Sequence, residues 1–63
     1  MAITLKAARI NKSLTQAEAA KMLGISEKTL ANYEKGASFP DVPVLKRIED
    51  LYEIPYSDLI FLH

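Results

Sequence analysis

Apolar residues recur along this chain at intervals of three and four rather than alternately, the spacing of amphipathic helices. Leu5 and Ala8, with Ile3 beside them, line one side of a first helix from about Thr4 to Asn11. The stretch "TQAE" at residues 15–18 then supplies a capping box. Thr15 can accept a backbone N–H, and Glu18 can reach back to the amide of Thr15. A second helix turns Ala19, Ala20 and Leu23 inward and stops at Gly24. Ser26 is a strong N-cap for a third helix, which runs to about Lys35 and closes at Gly36. After the short loop "ASFP", Asp41 caps a fourth helix with Pro43 in its first turn, where a missing N–H costs nothing. Leu45, Ile48, Leu51 and Tyr52 form its inner stripe, and Pro55 forbids continuation. The remaining "YSDLIFL" reads as a short final helix. The pattern predicts an all-α fold of five short helices in a single domain over residues 1–63.

Gly24 is the informative break. Glycine inside a helix costs about 1 kcal/mol relative to alanine, whereas at a helix C-terminus it adopts the left-handed conformation without penalty. The glycine therefore divides two short helices by a tight turn, the helix-turn-helix geometry. Ala20 is small where the third helix must cross closely, and Ile25 plugs the angle between the helices. Leu30 and Tyr33 give the third helix a buried side, leaving Glu27, Lys28, Thr29, Ala31, Asn32 and Lys35 to face elsewhere. A helix that protrudes in this way can enter a major groove.

Composition narrows the chemistry. With 63 residues the chain can build one small core, and 49% hydrophobic with 25% charged residues is ordinary for a globular fold. It has no cysteine, and its single histidine, His63, is the last residue, so no metal site and no cofactor are expected. The lack of cysteine, of an internal histidine and of a glycine-rich phosphate loop speaks against an enzyme. No apolar run approaches the ~20 residues of a membrane span, and the N-terminus lacks a signal-peptide pattern. A cytoplasmic location is the expectation. Eight basic and eight acidic residues give a formal net charge of zero, so any nucleic-acid partner must be argued from where the charges sit.

The segment "LTQAEAAKMLGISEKTLANYEKG" resembles the helix-turn-helix of the phage repressor and Cro proteins, the XRE-type DNA-binding domains. The resemblance rests on Gln16, Ala20, Gly24, Ile25, Leu30, Glu34 and Gly36, and extends from Arg9 to "IPYSDLI". It implies a lambda-repressor-like fold and a transcriptional regulator, of the Cro or repressor kind, that reads operator DNA through the third helix. Glu27, Lys28, Thr29 and Asn32 become the candidate base contacts. Lysine can donate to guanine O6 and N7, asparagine can pair bidentately with adenine, and a glutamate can accept from cytosine N4. Gln16, at the positive end of the second helix, is either a solvated amide or a phosphate clamp, and the resemblance decides for the clamp. Thr15, Lys6, Lys12 and Lys35 are further candidate phosphate contacts, the lysines being equally compatible with plain surface charge. Arg9 could hold a phosphate, but similar proteins pair its position with that of Glu34 in a salt bridge tying the first helix to the third.

Three consecutive apolar residues, Ile60, Phe61 and Leu62, cannot all point inward on a helix. They are the candidate interface of a homodimer, formed in solution or only on a palindromic operator. No small-molecule ligand is expected. The competing reading is an antitoxin-type or adaptor protein that uses the same fold to bind another protein.

Overall fold

A computed structural model describes residues 2–61. Among them are four α-helices: α1 (Leu5–Asn11), α2 (Gln16–Leu23), α3 (Glu27–Glu34) and α4 (Val42–Tyr52). The fold class is all-α, but with four α-helices rather than five. The segment expected to form the fifth helix is instead a single 3-10 turn, Tyr56–Asp58, followed by a two-residue strand. That strand, β2 (Leu59–Ile60), pairs in parallel with β1 (Ile3–Thr4), Ile3 opposite Leu59 and Thr4 opposite Ile60. Ile3 thus belongs to this small sheet and not to the first helix. The physical reason lies in the period. Alternation along a strand buries Leu59 and turns Ile60 outward, which accommodates consecutive apolar residues that no helix face could.

Each helix begins where a side chain satisfies the free amides of its first turn. Thr4, Thr15, Ser26 and Asp41 accept from Ala7, Glu18, Thr29 and Val44 respectively. The capping box at α2 is complete, because the Glu18 carboxylate also accepts the Thr15 amide at 2.9 Å. This hydrogen bond from the Thr15 backbone holds the Glu18 pKa below the ordinary carboxylate range. Gly24 closes α2 at φ 73° and Gly36 follows α3 at φ 79°. A Cβ on Gly24 would meet nothing nearer than Arg47 Nη1 at 3.7 Å, so backbone conformation, not crowding, calls for glycine there.

The core is formed by Leu5, Ala8, Ala19, Ala20, Leu23, Leu30, Ile48, Tyr52 and Leu59, drawn from every helix and from β2. Ile25 and Tyr33 pack against it while partly buried, as do Val44 and Leu51 on α4. Ala19 and Ala20, almost wholly buried, keep the second helix slim where its neighbours lie against it. On α4, Ile48 and Tyr52 are the fully buried pair, and Leu45 stays half-buried beside Phe39 and Pro40.

Local costs arise from left-handed backbone at Ser13 and at Glu53 (φ 56°) and from one buried hydroxyl. Ser13, between α1 and α2, adopts φ 58°, a left-handed conformation unfavourable for residues with a Cβ. Ser13→Gly is expected to raise the melting temperature by about 2–4 °C, the relief of strain exceeding the entropy glycine adds to the unfolded chain. An unchanged or lower midpoint on thermal denaturation would refute this account. The hydroxyl is that of Tyr52, buried and without a hydrogen-bond partner among the described residues. Burial, reinforced by the nearby Glu34 carboxylate, pushes its pKa up to about 12. Tyr52→Phe is therefore expected to leave stability unchanged or raise it by up to about 1 kcal/mol. A fall of several degrees would show that the hydroxyl is satisfied after all.

Candidate nucleic-acid interface

The turn between α2 and α3 is built from three residues. The amide of Ile25 reaches back to the carbonyl of Ala20 at 3.0 Å, wrapping the end of α2, and Ser26 at once starts α3. Arg47 Nη1 donates to the carbonyl of Leu23 at 3.3 Å, so α4 holds the C-terminal end of α2 from the other side. A cation at that end also meets the negative pole of the helix. The end of α2 and the start of α3 are thus held by a backbone hydrogen bond in the turn and a side-chain bond from α4.

On that face Glu27 and Lys28 are exposed, while Thr29, Ala31 and Asn32 are half-buried. Among the described residues, no hydrogen bond or ion pair engages the side chains of Glu27, Lys28 or Asn32. Thr29 differs. Its Oγ1 lies 2.7 Å from the Ser26 hydroxyl, which also accepts the Thr29 amide at 3.0 Å. Its hydroxyl is therefore engaged in the helix cap, and three side chains remain unencumbered at the leading end and middle of α3.

Beside α3 runs a shallow groove lined by Lys6, Gln16, Ala31, Glu34 and Lys35. It brings together three of the residues singled out as phosphate contacts, from α1, the start of α2 and the end of α3. At its floor, Arg9 Nε donates to Glu34 Oε2 at 2.7 Å and Nη2 to Oε1 at 3.2 Å. Both residues are buried, each 8% exposed. The third guanidinium nitrogen, Nη1, donates to the carbonyl of Leu14 at 2.9 Å, tying the loop between α1 and α2 to the same group. These hydrogen bonds to Glu34 hold the Arg9 pKa above its ordinary value against the opposing effect of burial.

Gln16 Nε2 donates to Glu34 Oε1 at 3.0 Å, a contact that no pattern of spacing suggests. Lys12 lies apart from the groove and pairs with Glu53, joining the C-terminal ends of α1 and α4. That pairing is also what lowers the Glu53 pKa. Thr15 keeps its hydroxyl on the α2 cap. At the far end of the chain, Ile60 is 41% exposed, Phe61 packs with its ring centroid 6.1 Å from those of Phe39 and Tyr56, and Leu62 lies outside the described residues.

The helix-turn-helix family model matches residues 5–59, from the first residue of α1 to the first of β2. The chain belongs to the helix-turn-helix family. Within it, the chain is 40% identical over 56 residues to the HTH-type transcriptional regulator ImmR of Bacillus subtilis (strain 168). That alignment covers 89% of this chain and 44% of the relative. It is 29% identical over 52 residues to the cryptic phage CTXphi transcriptional repressor RstR of Vibrio cholerae, covering 82% of this chain and 47% of that protein. The chain thus spans less than half the length of these two relatives. Among the described residues, no helix of this helix-turn-helix protein is long and apolar enough to cross a membrane.

Proposed function

We propose that the chain binds double-stranded DNA as a sequence-specific transcriptional repressor in the cytoplasm, with α3 in the major groove. The observation that carries this reading is the adjacency of two surfaces. An unencumbered polar face of α3 (Glu27, Lys28, Asn32) lies next to a groove bearing Lys6, Gln16 and Lys35. Base readers need neighbours that hold the backbone in register, and phosphate contacts supply that. Charge placement agrees. The net charge is zero, yet six of the eight basic residues precede Gly36 and five of the eight acidic residues follow it. The half that carries the helix-turn-helix is positive, so the molecule is polarised toward DNA even without an overall charge. The names of the two relatives, a repressor and a transcriptional regulator, support the same reading.

A single copy is small. Its longest extent is 27 Å, shorter than the roughly 34 Å between successive major-groove faces on one side of a duplex. Reading a two-part site therefore needs two copies, and a two-fold homodimer on a palindromic operator is the simplest arrangement. The outward Ile60 and the half-buried Phe61, continuing into Leu62, form the seam in this proposal. Selection of bound duplexes from a random pool tests the function. A recovered palindrome, bound by two chains per site in sedimentation, is the expected result. Recovery of no common sequence, with affinity equal on all duplexes, would refute sequence-specific regulation. One chain per site would refute the dimer alone.

A further inference from the structure

The carboxylate of Glu34 receives three hydrogen bonds: two from Arg9 and one from Gln16. The bond to Gln16 has a consequence for the orientation of the amide. A carboxylate paired with arginine can only accept, so the amide nitrogen of Gln16, not its oxygen, must point at Glu34. That nitrogen carries two hydrogens, and Glu34 takes one. The second has no acceptor among the described residues and lies on the groove shared with Lys6 and Lys35. Left unanchored, a glutamine amide rotates freely and presents oxygen to an approaching anion as readily as nitrogen. Oxygen facing a phosphate is repulsive.

We propose that Glu34 is a positioning residue for DNA: its carboxylate, charge-balanced by Arg9, locks the Gln16 amide so that its outer N–H is aimed at a backbone phosphate between Lys6 and Lys35. This rests on the DNA-binding reading above. It assigns to a buried negative charge, which by itself repels DNA, a favourable part in holding it. Arg9 makes this workable, because the bidentate pair removes most of the field that the carboxylate would cast into the groove. The ion pair between α1 and α3 is then also the anchor of a contact made from α2.

Two measurements test the proposal. The first is a double-substitution cycle on duplex affinity, at a temperature where circular dichroism shows every variant folded. Gln16→Ala is expected to weaken binding about tenfold on specific and random duplexes alike, as loss of a charge-assisted hydrogen bond does. In an Arg9→Met, Glu34→Leu background, where no acceptor faces the amide, the same substitution is expected to cost less than twofold, since the amide is no longer held. Equal losses in both backgrounds overturn the positioning role. Gln16→Lys brings a donor that needs no orientation, so its binding is expected not to fall in the Arg9→Met, Glu34→Leu background; a loss as large as that of the unaltered glutamine overturns the role as well. The second measurement needs no substitution. In the unaltered protein, the Nε2 proton of Gln16 bonded to Glu34 is expected to show a scalar coupling to the carboxylate carbon that persists on adding duplex. Its geminal proton is expected to move downfield at the same time. Loss of the coupling on binding, or an unmoved geminal proton, overturns the proposal. Failure of the unaltered protein to bind any duplex overturns the DNA reading itself, whereas binding with additive losses overturns only the role of Glu34.

Discussion

Arg9→Ala is expected to cost about 3–5 kcal/mol of stability, because it leaves the Glu34 carboxylate buried without its counter-charge. For a domain of 63 residues, total stability on the order of 3–9 kcal/mol makes this a large share, and the variant should be substantially unfolded at 37 °C. The loss has three parts that share one side chain. The ion pair across α1 and α3 disappears, the Leu14 carbonyl loses its donor, and Gln16 is left against an uncompensated charge. A double replacement by apolar residues, Arg9→Met with Glu34→Leu, is expected to recover much of the stability, since a buried pair is often no better than a packed apolar one. Urea denaturation of the parent and the two variants decides it. An unchanged midpoint for Arg9→Ala, accompanied by loss of DNA binding, would make Arg9 a phosphate ligand and remove it from the structural frame.

The second large effect concerns recognition. Lys28→Ala and Asn32→Ala are each expected to weaken binding to the best duplex by about 1–3 kcal/mol and to relax selectivity at one base pair apiece. If they contact separate base pairs, the double variant combines both losses and falls toward the affinity for random sequence. The contrast lies with the groove. Removing Lys6 or Lys35 should weaken all sequences alike and flatten the dependence of log affinity on log salt by about 1. A double variant that loses as much on random duplex as on the selected one would show that α3 does not read bases.

Features closed within a few residues were legible from the sequence. The caps at Thr15, Ser26 and Asp41, the Thr15–Glu18 capping box and the left-handed Gly24 each involve neighbours no more than five positions apart, so residue type alone suffices, whereas Thr4, read as the start of the first helix, is its cap. The final helix was misread for the opposite reason. A short apolar run such as "LIFL" fits helix or strand equally by period, and its choice of strand depends on Ile3 and Thr4 at the other end of the chain. The Gln16–Glu34 bond and the hold of Arg47 on Leu23 were invisible for the same cause. Both join residues from different helices, and no spacing rule links them. Lys12 shows a further limit: its charge was legible, but not that Glu53 occupies it. Of the set expected to face outward on α3, Glu27, Lys28 and Lys35 are exposed, whereas Thr29, Ala31 and Asn32 are half-buried, a distinction that helical period alone does not make.

The parallel pairing of Ile3–Thr4 with Leu59–Ile60 joins positions fifty-six residues apart. Such a contact has no local precursor and pays the loop-closure entropy of nearly the entire chain. During synthesis Ile3–Thr4 emerges long before Leu59–Ile60 and must wait, its amides and carbonyls unpaired, until that segment has left the ribosome. The four helices can collapse around Leu5, Leu23 and Leu30 before then, so the sheet acts as a late clasp on a body already formed. A nascent or truncated chain ending near Pro55 would therefore expose an open strand edge beside an incomplete core, the state in which this small protein is most vulnerable to proteases and to pairing with a neighbour.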